Sequence, residues 1–407
     1  MTRTRLVATL ILSISFADAG PIEPKPSGMI TLPVRRVEKN QPIARQLRHR
    51  AVGVSTALAP NSAEVFPESA PCCVFAHYIL TNFSDEGDNQ YLTTVQIGTP
   101  PRNFSIILDS GSSFFWVESA EECNVNSGGC VGKQRNPTFL SGPQSSSFVN
   151  TLRPWNEEYG SGSASGDIVT DKVVLGGIHI NNLSFGLAHE ISAEFLEPTL
   201  ANGLMGLAKA GSSNGVATAV QTLKESRLIS ATITSYRLPR SLDHINNGEV
   251  TFGGLDHNKF DNSTLVTLNA TNDDLWFVPL GQVSVNGATV SVSGSRKALM
   301  DTGTTFLLVP STDIDALHAN IPGAKKTGSG SYTIPCSTNA SVAFEFAGKS
   351  FAINPEDLTN SRATGDCRSR IAVGSQANQW TLGDTFLKSV YFSTNADDNT
   401  ISLARPV

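Results

Sequence analysis

The chain carries Ile106-Ile107-Leu108-Asp109-Ser110-Gly111-Ser112-Ser113-Phe114-Phe115-Trp116-Val117 and, 192 residues after its Asp, Ala298-Leu299-Met300-Asp301-Thr302-Gly303-Thr304-Thr305-Phe306-Leu307-Leu308-Val309. In each stretch an apolar strand runs into Asp, a hydroxyl residue, Gly and two further hydroxyl residues before an apolar strand resumes. A single Asp-Ser/Thr-Gly is ordinary turn chemistry, since Asp caps its own backbone and Gly supplies the unusual φ. Recurrence in the same apolar frame is not explained by turns. It implies two related halves that bring Asp109 and Asp301 together. Two carboxylates at such range cannot both ionise and share one proton. A pair of this kind can take a proton from water with one member and give one to a substrate with the other.

At 407 residues the chain exceeds one ordinary domain, so two core-forming units are expected. Only 16% of residues are charged, Gly is frequent, and Val, Thr, Ser, Phe and Ile alternate in short runs between turn signals. That pattern predicts an all-β, bilobal architecture. The body holds no apolar run of about 18 residues, and the C-terminal Ile401-Ser402-Leu403-Ala404-Arg405-Pro406-Val407 offers no lipid-anchor tail, so no membrane anchor is expected. The seven His and six Cys show no close ligand spacing, which argues against a metal, and nothing calls for a cofactor.

The N-terminus has Arg3, Arg5, an apolar run from Leu6 to Phe16 and Ala17-Asp18-Ala19, which predicts a signal peptide over 1–19. Sequons at Asn82, Asn103, Asn182, Asn262, Asn269 and Asn339 and an even cysteine count fit a secretory route, to the outside or to a vacuole. Six cysteines allow 15 pairings. The short Gly-rich loop between them favours Cys123 with Cys130, leaving Cys336 and Cys367 to close a loop in the other half. The adjacent Cys72 and Cys73 bond each other, pair elsewhere or leave with a removed segment. Residues 1–73 hold nine Lys/Arg against five Asp/Glu, and the remainder 21 against 31, so a basic segment precedes an acidic body. The acidic body disfavours nucleic acid. The basic, Pro-rich stretch is either a disordered linker or a prosegment laid over a carboxylate-lined cleft, and the signal ahead of it with the Asp pair behind favours a prosegment over 20–75.

These residues resemble the pepsin family of aspartic endopeptidases from about Tyr78 to the C-terminus. Besides the two Asp turns, Tyr91 to Pro101 resembles the strand and turn before the first Asp, and Tyr159-Gly160-Ser161-Gly162 the tip of a flap hairpin. Gly203-Leu204-Met205-Gly206-Leu207 and Trp380-Thr381-Leu382-Gly383-Asp384 resemble the apolar-Gly strands behind each Asp, and the segment from Gly248 to Asp256 a stretch near the lobe junction. The resemblance implies two β lobes, 76–260 and 261–407, with a peptide-length cleft between them. It implies Asp109 and Asp301 as the catalytic pair, Ser112 and Thr304 bonding their outer oxygens, Ser110 and Thr302 bonding across the halves, and Gly111 and Gly303 giving the backbone room. Position 110 is Ser where the family more often has Thr, and the hydroxyl is kept. Tyr159, with Gly160 and Ser161, would cap the cleft, Trp116 would bond the tyrosine hydroxyl, and Ile107, Phe195 and Leu204 would line the pocket before the cut bond. The family also implies protein or peptide substrates with bulky apolar residues at the cut, pepstatin-type inhibitors, inhibition by the chain's own prosegment, and a monomer. Family prosegments set a Lys against the catalytic pair. Residues 20–73 offer only Lys25 and Lys39; Arg35-Arg36 reads as a processing site, while its distance from a mature start between Ala51 and Asp85 argues for autocatalytic or multi-step trimming.

Two other readings compete. Gly211-Ser212-Ser213-Asn214-Gly215 fits the Gly-x-Ser-x-Gly nucleophile elbow, but Lys209-Ala210 rather than an apolar strand precedes it, so it reads as a turn before a helix over 216–226. The other is a catalytically silent binding protein or inhibitor on the same scaffold. Both Asp motifs and Tyr159 are intact, which favours an acid endopeptidase made as a zymogen.

Overall fold

The structure is a computed structural model that describes residues 29–36, 88–119, 138–160, 162–192, 201–210, 214–245, 247–292 and 294–407. Strands dominate it, with short α-helices at Ala219–Glu225, Ile314–His318 and Asp384–Leu387, and the all-β expectation holds. The strands used below are β1 (Ile30–Arg36), β2 (Tyr91–Ile97), β3 (Arg102–Asp109), β4 (Phe115–Glu118), β5 (Val149–Tyr159), β6 (Gly162–Leu175), β7 (Ile178–Ile191), β8 (Gly203–Gly206), β9 (Ile233–Arg237), β10 (Gly248–Phe252) and β11 (Val266–Asn269).

Strands β2 and β3 form a hairpin, Leu92 opposite Ile107, whose turn includes Gly98 at φ +95°. β3 is buried from Phe104 to Asp109 because it lies inside the sheet, antiparallel to β2 and parallel to β8. Its near-continuous apolar run is what burial on both faces requires. The register places Asp109 level with Gly206 at the end of β8, and β4 returns antiparallel along β8. The second half repeats this plan. Lys297–Met300 runs parallel to Gln379–Leu382, which pairs antiparallel with Leu307–Val309. Each apolar strand must end in Gly because it passes directly behind the Asp turn. A Cβ on Gly206 would stand 2.4 Å from the Phe114 nitrogen, and one on Gly383 2.2 Å from the Thr304 oxygen.

β5, β6 and β7 stack beside β4, with β5 at the outer edge of the sheet. At the other side the sheet continues as an antiparallel platform of six strands, β11, Thr400–Ala404, Tyr391–Asn395, β9, β10 and β1. This platform joins C-terminal strands to those of the first half. Its sixth strand comes from the N-terminal segment. β1 buries Ile30, Leu32 and Val34 and pairs with β10, and the backbones of Arg35 and Arg36 then pair with Leu92 and Tyr91 of β2.

A buried ion cluster pins these parts together. Lys388 Nζ lies 2.8 Å from Asp88 Oδ2 and 2.9 Å from Asp357 Oδ1, and Arg240 Nε lies 2.9 Å from Asp357 Oδ2. Cys336 and Cys367 form the expected disulfide. Cys123, Cys130, Cys72, Cys73, Lys25, Lys39, Asn82 and the 1–19 segment lie outside the described residues. The helix expected over 216–226 is shorter, at Ala219–Glu225. Thr218 starts it through a capping box with Gln221, so Val216 stays outside and packs against an apolar cluster.

Candidate active site

The two Asp turns meet across the halves with near-perfect reciprocity. Ser110 donates its backbone N–H to Thr302 Oγ1 at 2.9 Å, and Thr302 donates its own to Ser110 Oγ at 2.9 Å. The two hydroxyls then donate onward, Ser110 to the Met300 carbonyl and Thr302 to the Leu108 carbonyl, each at 2.8 Å. Four buried hydrogen bonds therefore fix the turns to each other, each hydroxyl acting as donor and acceptor. Thr302→Val strips a partner from Ser110 N–H and from Leu108 O in a site closed to water. Thr302→Val or Ser110→Ala is expected to lower unfolding stability by about 1–3 kcal/mol, with the double variant losing less than the sum. Urea unfolding measures this.

This locking brings the carboxylates together. Asp109 and Asp301 are both buried, close enough for the charge of Asp301 to act on Asp109. On Asp109, Oδ1 accepts from Gly111 N–H at 2.7 Å and Oδ2 from Ser112 Oγ at 2.6 Å. On Asp301, Oδ1 accepts from Gly303 N–H at 2.8 Å and Oδ2 from Thr304 Oγ1 at 2.6 Å. Each motif glycine lies against the opposite carboxylate, for a Cβ on Gly111 would stand 2.4 Å from Asp301 Oδ1 and one on Gly303 2.4 Å from Asp109 Oδ1. Burial, and then the charge of Asp301, push the Asp109 carboxyl up to about 7, against the opposing pull of the Ser112 and Gly111 bonds. The pair thus keeps one proton through the acid range.

Tyr159 ends β5 and pairs with Gly162 across the hairpin turn. Its hydroxyl accepts from Trp116 Nε1 at 2.8 Å, and burial, with the charge of Asp109, pushes its phenol up. Ile107 and Leu204 join Trp116, Phe114 and Trp155 in a separate apolar cluster on which Tyr159 packs. Gly160 is exposed at the hairpin turn, while Ser161 and Phe195 lie outside the described residues. Among the described residues no cluster of His, Cys, Asp or Glu could hold a metal.

Two residues of the site were not expected from the sequence. Asp384 is buried with no hydrogen-bond partner for either oxygen among the described residues, and burial holds its carboxyl well above the usual range, with Asp301 adding to the shift. Its signal was the mismatch between halves, for Leu207 follows Gly206 where Asp384 follows Gly383. Tyr236 on β9 is buried beneath the first Asp, and its phenol is pushed up by burial and by the charge of Asp109. The Asp pair is symmetrical in its own bonds and asymmetrical in the buried groups that feel its charge.

A carboxyl pair sharing one proton, built on a duplicated turn and covered by a hairpin tyrosine, is the chemistry of aspartic proteolysis. Residues 90–406 match the family described as eukaryotic aspartyl protease, and the chain belongs to it. It is 32% identical to the probable aspartic-type endopeptidase CTSD of Arthroderma benhamiae over 79% of this chain and 62% of that protein. It is 30% identical to the aspartic-type endopeptidase ctsD of Aspergillus fumigatus over 90% of this chain and 72% of that protein. With rhizopuspepsin of Rhizopus chinensis it shares 31% identity over 96% of this chain and 94% of the relative. The chain spans under two thirds of the length of the Arthroderma relative.

Proposed function

We propose that the chain is an acid endopeptidase in which the Asp pair activates a water for attack on a peptide carbonyl. The ionised carboxylate takes a proton from the water as its oxygen bonds to the carbonyl carbon. The protonated partner gives its proton to the carbonyl oxygen, and collapse of the tetrahedral adduct breaks the C–N bond while a proton passes to the leaving nitrogen. The observation that carries this is the buried, closely facing Asp pair with Asp109 pushed up to about 7. The Trp116 bond to the Tyr159 hydroxyl, which the charge of Asp109 reaches, supports closure of Tyr159 over a bound peptide. Ile107 and Leu204, clustered beside Tyr159, support an apolar pocket before the cut bond.

The finer reading includes a signal peptide over 1–19, a prosegment over 20–75, lobes over 76–260 and 261–407, secretion or vacuolar delivery, monomeric action and inhibition by pepstatin-type compounds. Five sequon asparagines, Asn103, Asn182, Asn262, Asn269 and Asn339, are exposed, which supports glycan attachment. No helix among the described residues is long and apolar enough to cross a membrane.

Cleavage of an unfolded protein by the acid-treated chain, scanned from about pH 2 to about pH 8, tests the proposal. Activity is expected in the acid range, declining as pH rises towards 7, and blocked by pepstatin. Silence from a folded, processed sample would leave the inactive binding protein as the reading.

A further inference from the structure

The face of β5 that carries Tyr159 also carries a carboxylate. Residues two apart on a strand share a face, and the register of β5 against β6 is regular from Arg153 to Tyr159. Arg153, Trp155, Glu157 and Tyr159 therefore point one way, while Pro154, Asn156 and Glu158 point out to solvent and are exposed. Trp155 is buried in the apolar cluster, and Tyr159 packs on that cluster within reach of the charge of Asp109. Glu157 stands between them, half-buried, about 7 Å back along the strand from Tyr159.

Its environment is built. Asn214, at φ +52°, donates Nδ2–H to Glu157 Oε1 at 2.5 Å, and the guanidinium of Arg153 donates to the Asn214 carbonyl. The following Gly215, at φ +69°, keeps this turn against Arg153. Asn214 thus holds one oxygen of the Glu157 carboxylate, and no described residue hydrogen-bonds Oε2. Arg153 gives one hydrogen bond to the turn, keeps its charge, and makes no ion pair with Glu157. The titratable groups on the same face are Arg153 and the Tyr159 phenol, and the turn from Asn214 to Val216 brings none.

We propose that Glu157 forms a subsite under the base of the flap that selects a basic side chain, Lys or Arg, on the bound peptide. The inference rests on the endopeptidase reading, since it places a peptide over Asp109 and Asp301 and beneath the β5–β6 hairpin. A peptide side chain directed at the flap base meets a carboxylate whose approach is bounded by Trp155, Asn214 and Tyr159. A cationic head at Oε2 satisfies the oxygen that Asn214 leaves open, while its aliphatic stem lies along the apolar cluster. Burial raises the Glu157 carboxyl above its ordinary value, opposed by the Asn214 bond. The selection therefore fades at low pH, where Glu157 is neutral, and strengthens as pH rises through its titration.

The test walks a single Lys, or its uncharged near-isostere norleucine, through the positions around the cut bond of one peptide. One position is expected to show a Lys over norleucine preference in kcat/KM of about fivefold near pH 5.5, falling to about one near pH 3. In Glu157→Gln, which keeps Oε1 for Asn214, that ratio is about one at both values. Retention of the preference in Glu157→Gln, or absence of any preferring position in the unaltered chain, overturns the subsite. Fluorescence anisotropy of the same peptides on the Asp109→Asn chain reads the preference without cleavage. A chain that binds with the preference but cuts nothing overturns the peptidase reading and keeps the subsite. A chain that cuts without the preference does the reverse.

Discussion

Replacing Asp109 by Asn is expected to lower kcat/KM by at least about 10⁴-fold while making the protein more stable at neutral pH. The activity loss follows from the pair acting as one unit. With Asn at 109 no proton is shared, and Asp301 alone can either accept a proton from water or donate one, but cannot hold both roles in the same step. The stability gain follows from burial. Asp109 is raised in the folded chain to about 7 by burial and by Asp301, so the folded state binds its proton more tightly than the unfolded chain does. Its contribution is fully present below the ordinary carboxylate value near 4 and is lost as pH rises through about 7. Asn carries no charge at any pH and keeps an acceptor for Gly111 N–H. Thermal unfolding at pH 4 and pH 7 should show the unaltered chain losing stability between the two and the variant losing a few kcal/mol less. A parallel fall in both would mean that the Asp109 charge is not what the neutral range penalises.

Gly111→Ala and Gly303→Ala, which leave every carboxylate and hydroxyl in the sequence, are expected to cost about 10²-fold or more in kcat/KM. Neither glycine sits at positive φ, so alanine brings no backbone penalty. The cost is local: the new methyl would stand 2.4 Å from an oxygen of the opposite Asp, well inside van der Waals contact. The carboxylate must rotate or the turns must part, and the turns are held by the four bonds of Ser110 and Thr302. The strain falls on the bonds of Asp301 to Thr304 or of Asp109 to Ser112, and with it on the position of the attacking water. Steady-state kinetics on one peptide, with pepstatin titration to count competent sites, separates misplacement from misfolding. Unchanged kinetics would show that the turns yield more easily than the hydrogen bonds imply.

How much of this was open to sequence reading depended on whether the signal was local. The Asp turns were legible because a tight turn demands its own residue types at fixed spacing. Tyr159 and Trp116 were singled out through family resemblance, and they share a 2.8 Å bond. The reciprocal packing of each glycine on the other half's Asp was not legible, since it is a contact over about 190 residues with no spacing rule. Asp384 looked like a strand-end residue in a Gly-Asp pair, and only burial in the fold raises its carboxyl well above the ordinary range, against the pull of Lys388. Glu157 and Asn214 are 57 residues apart and meet because β5 and the turn before a helix converge on Trp155. The helix start was readable after all, from Thr218 and Gln221, and Val216 was wrongly included because its apolar side chain serves a cluster rather than a helix face.

The pairing of β1 has a consequence for when this chain can be cut. Arg35 and Arg36 form the kind of site a dibasic endoprotease reads, and their backbones are hydrogen-bonded along β2. A protease needs that segment extended and unpaired in its own cleft, so the bond after Arg36 is legible only in molecules whose β1 end has opened. Where opening and closing are fast, the rate of such a cut is the protease's own rate scaled down by the opening equilibrium of two residues at a strand end. Whatever weakens the platform edge advances the clock, and whatever tightens it delays the cut without touching the sequence that is recognised.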